Sequence, residues 1–215
     1  MAQKTLTQLM TSMGVHINGE AAGPTTGDDE WLLWQESLNQ AQDDWASTDY
    51  NWPQLRKTLN TTLLVSGTSI GLPSDFRKLD GYPTFEGTQF PEVRVEEAAR
   101  FSETDAYVTV DYNTNYLSVN PARASTSAVA IRYWSRPTSL ATTTSLSLCP
   151  SDNYLIYAGS AKVLFSRDDA KYADFEAKAE TLMQQMIGQD VHEGEQMDTT
   201  IKSKQQLRGF TLGVN

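Results

Sequence analysis

Apolar residues recur at helical spacing near both ends of the chain and at strand spacing through its middle. From Lys4 to Met13, Leu6, Leu9, Met10 and Met13 share one helical face, and Gly14 offers a stop. Residues 18–27 carry three glycines and a proline, which predicts a loop that leaves this first helix loosely tethered. Between Asp28 and Ser47, Trp31, Trp34, Leu38, Ala41 and Trp45 recur at steps of three and four and form one stripe. Asp28, Asp29 and Glu30 sit at its start, where carboxylates cap free N–H groups and oppose the helix dipole. Asp49-Tyr50-Asn51-Trp52-Pro53 breaks the pattern, and Pro53 suits the first turn of a second helix through Leu55 and Leu59, giving an αα-hairpin.

The period then changes. Leu63 to Val65, a turn at Ser66-Gly67-Thr68 and Ile70 to Pro73 predict a short β-hairpin. Val93 and Val95, Tyr107 to Tyr112, Leu117 and Val119, and Val129, Ile131 and Tyr133 alternate as short antiparallel strands, with a turn at Asn113-Thr114-Asn115 and a Ser/Ala loop from Arg123 to Ser127. Thr138 to Ser145 is low in complexity and reads as a linker. Pro150-Ser151-Asp152 is a helix start, and Tyr154 to Phe165 is apolar on nearly all sides, which predicts a central, buried helix. After a break at Ser166-Arg167-Asp168, Tyr172, Phe175, Ala179, Leu182, Met183 and Met186 make a single stripe that ends before Gly188, so this helix should pack antiparallel to the one before. From Asp190 onward the chain is polar, with Lys202, Lys204 and Arg208 and isolated apolar anchors. Phe210, Leu212 and Val214 alternate, and could add a strand to another chain's sheet.

The expected fold is α+β: a helical bundle, made of an N-terminal αα-hairpin and a C-terminal helical hairpin, with an inserted small antiparallel β meander or sandwich and extended termini. The expected divisions are an N-terminal helix and flexible loop over 1–27, a helical body over 28–65 and 151–188, a β domain over 66–150, and a docking tail over 189–215.

Composition narrows the function. A net charge of −10 argues against a chain whose main task is gripping phosphates. Mean hydropathy of −0.46 leaves much polar surface for partners. Cys149 is the single cysteine, which rules out an intrachain disulfide and a Cys-based zinc site and suits a reducing compartment. No run approaches the ~20 apolar residues that cross a bilayer, and the N-terminus lacks a basic region followed by an apolar one, so the chain reads as soluble, not exported and without a membrane partner.

The most distinctive run is Leu72-Pro73-Ser74-Asp75-Phe76-Arg77-Lys78-Leu79-Asp80-Gly81. Pro73 disfavours helix at Leu72, and Ser74 or Asp75 can bond nearby amides to fix a turn that swings Phe76 inward, with Leu79 as a second anchor of the joint between helical and β halves. A catalytic Ser74–Asp75 pair needs a histidine, and only His16 and His192 exist, both in peripheral segments. Asp168/Asp169 and Glu96/Glu97 read as exposed charge. No catalytic residue, metal site or cofactor is expected. The tryptophan stripe serves either core or subunit interface, and with Tyr172 and Phe175 it supplies the expected neighbour contacts, while Phe210 and Leu212 are the expected clamp. Tyr107, Tyr112, Tyr116, Tyr133 and Trp134 would be the platform of a carbohydrate-binding or receptor-binding module, the alternative reading; a hydrolase would need a clustered acid pair or His site that the sequence does not offer.

The order of Asp49-Tyr50-Asn51-Trp52-Pro53, then Leu72 to Leu79, then strands ending Ile131-Arg132-Tyr133-Trp134-Ser135-Arg136-Pro137, then the helical hairpin from Ser151 to Ile187 resembles head-to-tail adaptor proteins of short-tailed bacteriophages. The resemblance covers about residues 28–188. It implies a virion structural protein without an active site, a homo-oligomeric ring, commonly twelve-fold, at the head–tail junction. Such a ring, assembled in the host bacterial cytoplasm, would dock beneath the portal protein and receive the tail or nozzle protein. Genomic DNA would pass through it without sequence-specific binding, and an acidic lumen would let that DNA slide.

Overall fold

Thr5 opens the first helix through a reciprocal cap: its hydroxyl accepts from the Gln8 amide and the Gln8 side chain accepts from the Thr5 amide. In this computed structural model, which describes residues 3–63, 68–124 and 126–189, helix α1 runs from Leu6 to Ile17. It passes through Gly14 instead of stopping there. Gly14 is needed for a close approach, since a Cβ at that position would lie 2.0 Å from the Ala22 carbonyl oxygen. Leu6, Leu9, Met10 and Met13 are fully buried, so α1 is a core element and not a loosely tethered appendage. Helix α2 spans Asp29–Ser47.

The expected helix over Leu55 and Leu59 does not form. Pro53–Leu55 makes one 3-10 turn, and Arg56–Thr62 is strand β1. Leu55 and Leu59 mimic helical spacing, but Leu59 alternates inward with Lys57 and Thr61 on a polar strand whose backbone pairs with residues far along the chain. The remaining strands are β2 (Ser69–Gly71), β3 (Phe76–Leu79), β4 (Thr84–Phe85), β5 (Thr88–Gln89), β6 (Tyr107–Asp111), β7 (Tyr116–Asn120) and β8 (Ala128–Ser135). β8 is the hub of a five-stranded sheet, pairing antiparallel with β1, β3 and β4, while β5 pairs with β4. β2, β7 and β6 form a second, three-stranded sheet. Of the expected hairpin of Leu63–Val65 with Ile70–Pro73, residues 64–67 lie outside the described residues; Ser69–Gly71 pairs with β7, and the strands do not follow one meander. Val93 and Val95 form no named strand; the neighbouring Glu92 makes one bridge to Val108. Side chains from both sheets share one core that includes Ile70, Phe76, Phe85, Leu117, Ile131 and Tyr133.

Helix α3 (Asp152–Ser166) starts at Ser151, whose hydroxyl accepts from the Tyr154 amide. Nine of its residues are buried, so it is central as its all-round apolar sequence predicts. A Cβ on Gly159 would meet Leu38 Cδ2 at 3.0 Å and Met13 Cε at 3.2 Å, which marks where α1, α2 and α3 converge. Asp168 takes a left-handed φ of 56° at the break, and helix α4 covers 172–189. Its inward stripe is the expected one: Ala179 and Met186 are buried, and Tyr172, Phe175, Leu182 and Met183 half-buried.

The contacts divide the chain into a helical unit, Met1–Trp45 with Ser139–Asn215, and a β unit, Ala46–Thr138. The segment expected as a linker and as the end of a β domain belongs to the helical unit. Leu140 is fully buried, its amide donates to Asn39 Oδ1 at 2.7 Å, and its carbonyl accepts from Gln35 Nε2 at 2.8 Å. The Leu6 amide donates to Ser145 O at 2.9 Å, and the Ser147 hydroxyl donates to Gln42 Oε1. No helix of the described residues is long and apolar enough to cross a membrane.

Candidate functional site

The run from Leu72 to Gly81 lies wholly within the β unit. Its turn is closed by backbone, the Phe76 amide donating to Pro73 O at 3.0 Å, and Phe76 is buried as expected. Ser74 and Asp75 were expected to bond nearby amides. Instead the Asp75 carboxylate accepts from Lys57 Nζ at 2.6 Å and from the Tyr133 hydroxyl at 3.2 Å, so it links β1 and β8. Burial, followed by the nearby Asp75 charge, pushes the Tyr133 phenol up to about 12 and keeps it a donor at neutral pH. Asp80 pairs with Arg56, and Arg77 donates to the Ala46 carbonyl. Leu72, Phe76 and Leu79 pack in or against the β core, so they anchor the β unit itself.

With its carboxylate engaged by a lysine and a phenol, Asp75 is unavailable to orient a histidine. His192 lies outside the described residues. His16 belongs to the helical unit, where its ring lies 5.1 Å from Tyr157 and 5.2 Å from Phe175. Partial burial, and then the Lys178 charge, hold its pKa below the usual value. Lys178 also sits over the Phe175 ring at 5.0 Å. Cys149 is fully buried, and burial pushes its thiol up to about 12. No group of three or more His, Cys, Asp or Glu among the described residues could hold a metal ion. The candidate sugar platform is not one face: Tyr133 points into the core while Tyr112 and Tyr116 are half exposed.

Trp34 and Trp45 are fully enclosed and Trp31 is 6% exposed, so these three have core positions and almost no surface to offer a neighbour. Tyr172 and Phe175 retain some. Tyr172 stands edge-on to Phe165 at 5.1 Å, and Phe165 is 66% exposed. Phe210 and Leu212 lie outside the described residues.

The helical unit also holds a groove of 1010 Å³ that the sequence reading missed. Its walls are α2, α3 and α4, with Ala158, Ala161 and Ala179 buried at its base and Phe165 and Tyr172 at one side. Glu36, Asp44, Glu176 and Glu180 line it, and its single basic side chain, Lys162, pairs with Asp44 at 2.7 Å. The signal was present as acids four apart, Glu176 with Glu180, and Glu36 eight before Asp44. What could not be read was that the two helices face each other.

The sequence profile of the SU10 adaptor protein family matches residues 4–203, and the chain belongs to that family of phage adaptor proteins. The match extends beyond the 28–188 span of the sequence resemblance and takes in α1. Among curated proteins none matches the chain.

Proposed function

We propose that this adaptor-family chain forms a ring, twelve-fold by the family resemblance, between the portal and the tail machinery of the virion, lining the channel through which DNA leaves. The match over residues 4–203 carries the reading. A closed ring needs a heterologous interface, two different faces on each copy. Exposed apolar residues in both units suit that need: Leu32 and Phe165 in the helical unit, and Tyr82, Val95, Tyr112 and Tyr116 in the β unit. Twelve copies at −10 each would make a strongly acidic ring that repels DNA phosphates and lets the genome slide. In this reading Tyr172 and Phe175 contribute to neighbour contacts from the helical unit, and Phe210 and Leu212 clamp the tail onto portal or an adjacent copy. Assembly takes place in the host cytoplasm, and no cofactor or catalytic residue is needed.

The test is size in solution with and without purified portal protein. The ring reading expects a monomer alone and a ring on portal; a chain whose size ignores portal would overturn it. Removing residues 190–215 should weaken portal assembly while circular dichroism stays unchanged, and undiminished portal binding by the truncated chain would sink the clamp.

A further inference from the structure

We infer that the acidic groove of the helical unit is the docking site of the chain's own residues 199–215 in the free protein. The idea goes beyond ring formation and does not depend on it. The groove joins a trough of small side chains to carboxylates on both long walls: Ala158, Ala161 and Ala179 give it depth, Glu36 lies on α2, and Glu176 and Glu180 lie on α4. None of these three glutamates is in an ion pair among the described residues, whereas Lys162, the only basic side chain in the lining, is already held by Asp44. The exposed Phe165 ring leaves an apolar surface at the same site.

Residues 199–215 match this chemistry. They contain Lys202, Lys204 and Arg208, no acidic residue, and the apolar Ile201, Leu207, Phe210, Leu212 and Val214. Reach favours the same chain over a second copy. α4 borders the groove from Tyr172 to Gln184, about 18 Å at helical rise, and the described chain ends at Gln189, just past its C-terminal end. Residues 190–198 can span up to about 30 Å, enough to turn back along the trough. A short tether of this kind presents the segment at an effective concentration on the order of millimolar, above that of any second copy in dilute solution. Between partly exposed charges the attraction is screened by salt.

The experiment uses the full chain without portal. Trypsin cuts after Lys202, Lys204 and Arg208, so its rate reads the undocked population. At low salt the parent chain should be cut there about tenfold more slowly than the variant Glu36→Gln/Glu176→Gln/Glu180→Gln, and the protection should fade at about 0.5 M salt. These exposed substitutions leave the helix stripes intact, and unchanged circular dichroism would verify it. Equal cleavage rates in parent and variant overturn the proposal. A photo-crosslinking residue in place of Phe210 gives the second readout: adducts to 158–184 within one chain support it, while adducts only between copies or only to the β unit overturn it. Because portal is absent throughout, failure here leaves the ring reading standing, and failure of the ring leaves this site standing.

Discussion

The helical unit and the β unit bury comparable cores by different means. In the helical unit the buried side chains follow the stripes of α1, α2 and α4 and the all-round apolar face of α3, and a polar segment from Ser139 to Ser147 is tied to α2 by Asn39, Gln35 and Gln42 and to α1 by the Leu6 and Thr7 amides. In the β unit a single strand, β8, holds three partners, and Arg56 pairs with Trp134 across most of the unit's sequence. Helical stability is therefore spread over several contacts, while the larger sheet of the β unit is concentrated on one strand. A local defect should be tolerated better in the first than in the second, except where two backbones touch.

Hydrogen exchange resolved by unit, together with chemical denaturation, can break or sharpen this contrast. The largest effect is expected for Ile131→Ala on β8, a fully buried side chain: about 3–4 kcal/mol, with protection lost first across residues 56–135. Equal loss in both units would show that they unfold as one body and remove the distinction. Gly14→Ala comes next. Helix propensity alone would favour it by about 1 kcal/mol, but the added Cβ overlaps a backbone carbonyl, and overpacking should win to give a net loss of about 2 kcal/mol confined to the helical unit. Stabilisation by this change would mean that the 18–27 loop yields freely.

Asn39→Ala should cost about 1–2 kcal/mol, because it leaves the amide of a fully buried Leu140 without its side-chain acceptor. An effect below 0.5 kcal/mol, about the scatter of surface changes, would return the 139–147 segment to the status of a linker. The smallest effect concerns pH. His16 has its folded pKa lowered from 6.5, so the unfolded chain binds the extra proton more readily; the contribution is present above pH 6.5 and is lost as pH falls through that region toward the folded pKa. His16→Phe should flatten this part of the stability profile of the helical unit, and a profile identical to that of the parent would show that the imidazole does not take part.

The sequence disclosed what repeats locally. The stripes of α2, α3 and α4, the Ser151 cap and the inward Phe76 all follow from spacing that a few neighbouring residues define. It hid what depends on distant partners. Arg56 to Thr62 has one apolar residue and becomes a strand only because β8 offers its backbone, and Thr138 to Ser145 reads as a linker by composition until Asn39 and the α1 amides accept and donate to it. Asp75 shows the same limit, since its partners Lys57 and Tyr133 lie 18 and 58 residues away. The tryptophan stripe left core and interface open, and burial assigns it to the core.

The β unit interrupts the helical one between Trp45 and Ser139, and this imposes an order on synthesis. When the ribosome has made α1 and α2, the helix that covers them does not yet exist; it is complete only at Ser166. At roughly 5–20 residues per second, the tryptophan stripe waits on the order of 10 s for its cover, while the β unit, continuous in sequence, can close in the interval. The nascent chain's exposed aromatic face during that delay is the period in which a chaperone or a wrong neighbour would find it.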